Sequence, residues 1–232
     1  MNIDLLKRLC ETPGVPGREE RVRKLIESEI SGLFDEVRTD AMGSLICTRH
    51  PRKGKKPAKK KSDARPTRVM LLCHMDEIGF YVTAIDSKGF LWMNPAGGFD
   101  TRNLFSRRVL VCADSGDYKG VMNPGGRPVH ISSPKDREKV PEVKEFFVDI
   151  GLPGDQVKKK IKVGDYVVMD EPLIEVGNKI VSKALDNRVA CWLGIESVRQ
   201  LDKSGEGNSC EVVVAFTTQE EVGLPGAKTA TP

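Results

Sequence analysis

Residues 68–80 read RVMLLCHMDEIGF, and the change of texture inside this stretch decides the fold. Val69-Met70-Leu71-Leu72-Cys73 is a short continuous apolar run, the signature of a strand buried on both faces. It gives way at once to His74 and Asp76. A second run, Val212-Val213-Val214-Ala215-Phe216, leads in the same way to Glu220 and Glu221, and Ile180-Val181 leads to Asp186. In open α/β sheets, ligands bind in the crevice beyond the carboxyl ends of the strands. The pattern predicts an α/β domain with charged side chains gathered at one end of its sheet.

Working outward, residues 4–10 have the spacing of a short helix, stopped by Thr12-Pro13-Gly14. Residues 17–33 place Val22, Leu25, Ile26, Ile30 and Leu33 on one helical face. Val37 opens a strand, Met42-Gly43 marks a turn, and Ser44–Thr48 forms a second arm. After Gly79 the texture becomes β-rich. Residues 80–95 hold two arms around Asp86-Ser87-Lys88-Gly89, and Ser115-Gly116-Asp117 separates another pair. Phe146–Ile150 and Tyr166–Met169 are further strands; a helix from Asp186 to about Leu201 and a strand over 211–217 restore the earlier style. The expected fold class is α/β: an open mixed sheet flanked by helices, with an inserted small all-β domain. Residues 1–79 and 171–232 would form the first domain, and 80–170 the insertion.

Composition narrows the class. Hydrophobic residues make up 39% of the 232, which with 22 glycines is an ordinary globular composition. No apolar run approaches the roughly 18 residues of a membrane span. The N-terminal MNIDLLKRLCETPG mixes charge with apolar residues and lacks the features of a secretory signal, so a cytoplasmic location is expected. The six cysteines form no CxxC pair and read as structural thiols. The net charge of +4 is local in origin. Arg49 to Arg68 (RHPRKGKKPAKKKSDARPTR) holds ten Lys or Arg and one Asp, so the remainder carries 4 − 9 = −5. This stretch cannot bury apolar surface and is expected to be a mobile loop. A patch for nucleic acid or another polyanion is the competing reading, but no aromatic residue is interleaved to stack on bases.

Each charged position has a structural reading beside a chemical one. His74 could be a core histidine, or a metal ligand whose ring is oriented by the neighbouring Asp76. Asp186 stands where a strand gives way to a helix and could be an N-cap. Glu220-Glu221 is harder to explain structurally, because adjacent carboxylates repel and raise the pKa of one of them. A metallohydrolase uses such a pair, one Glu as ligand and one as base.

The segments HMDEIGF, KALDNRVA and TTQEEVGLPGAKTA resemble the zinc/cobalt aminopeptidases of the tetrahedral type. That family includes glutamyl aminopeptidases, deblocking aminopeptidases and proteins labelled endoglucanase M. ETPGVPGREE, GGFDTR and VPEVKEFFVDIG extend the resemblance from about residue 4 to residue 230. It implies that His74 ligates one metal, Glu221 the other and Asp186 both, with Asp76 behind His74 and Glu220 as general base. It implies peptide substrates, two divalent ions (zinc or cobalt), attack by a metal-bridged hydroxide, dimerisation through the β-rich insertion and assembly into dodecamers. Asn187 and Pro225 depart from the family's usual Asp and Arg, and the Lys-rich stretch replaces a short connection. Family members also continue well past this length and there supply one more Asp and one more His ligand. The expectation is therefore an N-terminal portion in which each metal keeps two protein ligands, where a catalytic zinc takes three. The rival expectation is a non-catalytic oligomerisation or interaction protein that binds an anionic partner through residues 49–68. No carboxylate pair recognisable as a glycosidase site supports the endoglucanase label.

Overall fold

A computed structural model describes residues 2–54, 68–126 and 129–231. In chain order it begins with helices α1 (Ile3–Glu11) and α2 (Glu20–Glu29) and strands β1 (Glu36–Thr39), β2 (Leu45–Arg49), β3 (Arg52–Lys53) and β4 (Arg68–His74). Next come β5 (Gly79–Ile85), β6 (Leu91–Ala96), β7 (Arg107–Ala113), β8 (Gly116–Pro124), α3 (Pro134–Glu138), β9 (Phe146–Asp149), α4 (Gly154–Lys160) and β10 (Tyr166–Met169). The remainder is β11 (Ile174–Val176), β12 (Lys179–Val181), α5 (Leu185–Ser204), β13 (Gly207–Asn208), β14 (Glu211–Thr217) and α6 (Pro225–Ala230). The chain divides into two compact units, one of Met1–Glu77 with Pro172–Pro232 and the other of Ile78–Glu171.

The first unit is built on a four-stranded mixed sheet in the order β1-β2-β14-β4. β14 runs antiparallel to β2 and parallel to β4. Its residues alternate between two buried faces. Val212, Val214 and Phe216 pack with Leu5 and Leu9 of α1, Val22 and Ile26 of α2 and Cys191, Ile195 and Val198 of α5. Val213 and Ala215 pack with Ile46 and with Ala230 of α6. Burying one such side chain contributes about 1.5–3 kcal/mol. α1 starts where Asn2 accepts the Leu5 amide and stops at Thr12. α2 is shorter than the span 17–33, because Gly17 (φ 82) and Gly32 (φ 76) adopt left-handed backbone outside it.

Two expectations need correction here. The apolar run 69–73 is not buried on both faces: Val69, Leu71 and Leu72 are 44%, 36% and 46% exposed. β4 lies at the sheet edge, with β14 as its one partner strand among the described residues, whereas β14 has a strand on each side. The apolar run that reads as a doubly covered strand is therefore the one at 211–217.

The basic stretch also begins as ordered structure. Arg49 ends β2 and is buried, with its guanidinium donating to Asp202 Oδ1, the Leu33 carbonyl (3.0 Å) and Asn208 Oδ1 (3.2 Å). Arg52 lies in β3, which pairs with β13, and contacts Asp35 at 2.8 Å. At the far end Arg68 pairs with Glu211. The mobile-loop expectation otherwise falls on residues 55–67, which lie outside the described residues.

The second unit is a closed antiparallel barrel of six strands, β10-β5-β6-β9-β8-β7. Phe80, Val82, Leu91, Met93, Val111 and Phe146 are among the side chains that fill it. It also carries α3 and α4, so it is not purely β. The turn at Asp86-Ser87-Lys88-Gly89 forms because Asp86 Oδ1 accepts three successive amides, Lys88, Gly89 and Phe90, at 2.8, 2.8 and 3.0 Å. The first turn of α4 sits directly on this hairpin, and a Cβ on Gly154 would lie 2.4 Å from the Ser87 carbonyl oxygen. No helix among the described residues is long and apolar enough to cross a membrane. All six cysteines are free.

Two outcomes follow from this packing. Gly154→Ala should lower the stability of the barrel unit by about 1–3 kcal/mol, because backbone and not a flexible side chain meets the new methyl; chemical denaturation checks this. Arg49→Met should cost about 1–3 kcal/mol at neutral pH, since the Leu33 carbonyl and Asn208 lose a buried donor, while the exposed Asp202 loses one ion partner and keeps Arg52 at 3.5 Å. The hydrogen bond from Arg49 holds the Asp202 carboxyl below its usual range, so its contribution is present above the unfolded value and lost as pH falls through the lower folded value. The stability gap between wild type and Arg49→Met should therefore narrow as pH drops below about 4, as denaturation across pH would reveal.

Candidate metal centre

The parallel pairing of β4 and β14 sets Thr217 opposite His74. The Met75 amide extends the pairing by donating to the Thr217 carbonyl at 2.8 Å. The two segments that follow, HMDE and TTQEE, thus leave the sheet side by side.

His74 is 7% exposed, and its two ring nitrogens face different groups. Nδ1 lies 3.1 Å from the main-chain carbonyl of Asp76 and 3.5 Å from its carboxylate. Nε2 faces Asp186 Oδ1 at 3.2 Å and Glu220 Oε2 at 3.7 Å. With Nδ1 bonded to a carbonyl, the ring offers Nε2 to the open side. Burial opposes the imidazolium, but the Asp76 carboxylate and Glu220 outweigh it and leave the His74 pKa above its ordinary value.

Asp76 is fully buried, and its carboxylate accepts the Glu220 amide at 3.1 Å and the Glu221 amide at 3.0 Å. Burial alone would raise its pKa; His74 and these two amides reverse that and hold it below the usual carboxylate range. Asp186 lies within the span of α5 but has extended backbone (φ −82, ψ 111), and its side chain is 89% exposed. Asn187 is non-helical as well, so the regular part of α5 begins after these two residues.

His74, Glu220 and Glu221 each present one ligand atom within 4.8 Å of the others. Tetrahedral donors about 2.1 Å from an ion lie ~3.4 Å apart, so these groups stand at the spacing of donors in a metal centre. An imidazole nitrogen with carboxylate oxygens is a donor set suited to a divalent metal ion. The structure thus brings His74, Asp186, Glu220 and Glu221 to one place from three separate segments, with the Asp76 carboxylate beneath the loop that carries the two glutamates. The Glu221 carboxyl is raised; burial is the main cause, with His74 opposing it and Asp76, Glu220 and Asp186 adding to it. Repulsion between the adjacent glutamates is therefore the smaller part of the effect.

Two buried groups near the site had no individual role in the sequence reading. Glu77 accepts from Lys183 Nζ at 2.6 and 2.7 Å, with Arg188 3.7 Å away, tying the HMDE turn to the segment before Asp186. Glu19 is 4% exposed and accepts the Gly17 and Gln219 amides at 2.9 and 3.0 Å. Burial pushes its carboxyl up to about 7 against the pull of those amides. In sequence Glu19 reads as one more acid at a helix N-terminus. Its contact with Gln219 spans 200 positions and leaves no local signal.

Comparison with known proteins places the chain among similar sequences and folds. A TET aminopeptidase from the marine sediment archaeon Thaumarchaeota archaeon SCGC AB-539-E09 superposes with a TM-score of 0.85 at 31% identity, over 98% of this chain and 60% of its own. The Pyrococcus horikoshii TET1 peptidase, described as assembling into a tetrahedron or a large octahedral shell, gives 0.80 at 30% identity over 97% of this chain and 63% of its own. The lysyl aminopeptidase of Pyrococcus furiosus is 29% identical over 98% of this chain and 62% of its own. The chain spans about three fifths of the length of the curated relatives it matches. The M42 glutamyl aminopeptidase pattern matches residues 54–232, well over half of the sequence, and the chain belongs to that family.

Proposed function

We propose that this chain supplies part of the active site of a metal-dependent aminopeptidase that removes N-terminal residues from peptides. The observation that carries this reading is the convergence of His74, Glu220 and Glu221 within 4.8 Å, with Asp186 at 3.2 Å from His74, in a chain of this family. His74 would hold one divalent ion, Glu221 a second and Asp186 both, the ions being zinc or cobalt. Bound there, such ions acidify water and polarise the scissile carbonyl. Asp76 keeps the ring of His74 turned so that Nε2 faces the site. Glu220 takes the proton from the attacking water and returns it to the leaving amine. Counting Asp186 twice, each ion has two protein ligands from these residues, and a catalytic zinc takes three. The remaining ligands would come from the part of the relatives' length that this chain does not span.

The barrel unit would carry a dimer contact and support a larger assembly, a reading supported by the shells described for the Pyrococcus horikoshii peptidase. Six free thiols fit a reducing, cytoplasmic compartment.

Metal binding is the direct test. Cobalt titration calorimetry on this chain should detect a site that His74→Ala or Glu221→Ala weakens by about tenfold or more, since each removes a donor. The exposed Asp4→Ala should leave it unchanged; equal affinity in all four proteins would sink the ligand assignment. Activity is the second test, read as free amino acid released from a short peptide. A form extended to the relatives' full length should be active, and Glu220→Gln should lower its kcat by about 10²–10⁴-fold with little change in KM. Full activity in that variant would remove Glu220 from the mechanism.

A further inference from the structure

We infer that Glu19 is a positioning residue that sets the main chain of the 218–221 loop, and through it the directions of Glu220 and Glu221. The inference rests on the metal-site reading for its consequence, but its geometry stands by itself. Four consecutive amides of this loop donate to side-chain oxygens instead of to main-chain carbonyls. Thr218 N donates to Ser44 Oγ at 3.3 Å, Gln219 N to Glu19 Oε1 at 3.0 Å, and Glu220 N and Glu221 N to the two oxygens of Asp76 at 3.1 and 3.0 Å. Ser44, Glu19 and Asp76 are all buried, so none of these acceptors is easily replaced by water.

The middle link bears the heaviest constraint. Gln219 has left-handed backbone (φ 57, ψ 33), which an L-residue adopts only where its surroundings impose it. That conformation ends the extended run of β14 and starts the tight turn Glu220–Val222. Glu19 is placed as the N-cap of α2, a position where a side chain ordinarily accepts an amide of its own helix. It makes no such cap; Oε1 instead accepts the Gly17 and Gln219 amides. A carboxylate that leaves its own helix start uncapped in order to hold a loop 200 residues away has a tertiary task. If that hold is lost, Gln219 is free to relax, and the two carboxylates that follow turn with it.

The test separates a loop anchor from a general contribution to folding. Amide hydrogen exchange is followed by NMR in the metal-free chain for wild type, Glu19→Leu and Glu19→Gln, with cobalt affinity measured in parallel. Glu19→Leu should speed exchange at Gln219, Glu220 and Glu221 by about tenfold or more while Val214 and Val111 keep their rates. It should also weaken cobalt binding by about tenfold. Glu19→Gln retains a carbonyl oxygen for both amides and should restore both readouts to within about threefold of wild type. Should the leucine variant not fold, Glu19→Asp, which withdraws the oxygen by one methylene, carries the same expectation. Unchanged exchange at the three amides overturns the inference, as does a rise shared equally by Val214, or freed amides with undiminished cobalt affinity. A wild-type chain that binds no cobalt, with the amides still freed by Glu19→Leu, sinks the metal reading and leaves the anchor standing.

Discussion

Everything at the candidate site depends on the parallel register between β4 and β14. Parallel neighbours end at the same side of a sheet, so a register that pairs Thr217 with His74 delivers both following segments to one crevice. A shift of one residue would turn His74 to the other face. The register is held by β14, whose alternate side chains are buried on both faces, and by the Met75–Thr217 hydrogen bond just beyond the last pair. β4 contributes less apolar burial than its composition promises, because it is the edge strand.

The site gathers more negative charge than an ordinary core would tolerate. Asp76, Glu220, Glu221, Asp186 and Glu19 lie in or beside it, and Asp76 and Glu19 are buried. The two buried carboxylates are compensated differently. Asp76 has His74 beside it and two loop amides on its oxygens, and its carboxyl stays below the usual range. At Glu19 burial outweighs the amides and pushes the carboxyl up. The same amides that stabilise these carboxylates belong to the loop that carries Glu220 and Glu221. Electrostatic compensation and placement of the two glutamates are therefore one arrangement: the loop cannot move without removing amides from buried carboxylates. A divalent cation in the crevice would relieve the remaining excess of negative charge at Glu220, Glu221 and Asp186.

Glu77 extends this logic to the third segment. Its ion pair with Lys183 fixes the approach to Asp186, and Arg188 beyond it donates to the carbonyls of Leu9, Thr12 and Gly14. The ETPG segment therefore meets the HMDE and KALDNR segments through buried charge. Asp186 itself remains open to solvent.

Local patterns made much of this legible. The helix of residues 4–10 and its stop at Thr12, the hairpin at Asp86–Gly89 and the strand at 211–217 were readable because propensity, turn chemistry and apolar periodicity act over a few residues. His74, Asp186, Glu220 and Glu221 could be singled out because each follows an apolar run, and the motifs around them resemble one family. Other features depend on distant neighbours. Val69–Cys73 and Val212–Phe216 are both uninterrupted apolar runs of five residues, yet one is an edge strand and the other central, a difference made by what pairs alongside. Arg49 opens a lysine-rich stretch but is buried, because Asp202 and Asn208 arrive from the other end of the chain. Glu19 looks like a surface acid until Gln219 folds onto it. Sequence by itself determined which residue types stand at which strand ends, since those are local facts of the chain. Which of them meet, which are buried and which amides hold them was decided by tertiary structure, because hydrogen bonds and burial between segments about 200 residues apart exist only once the sheet has set its register.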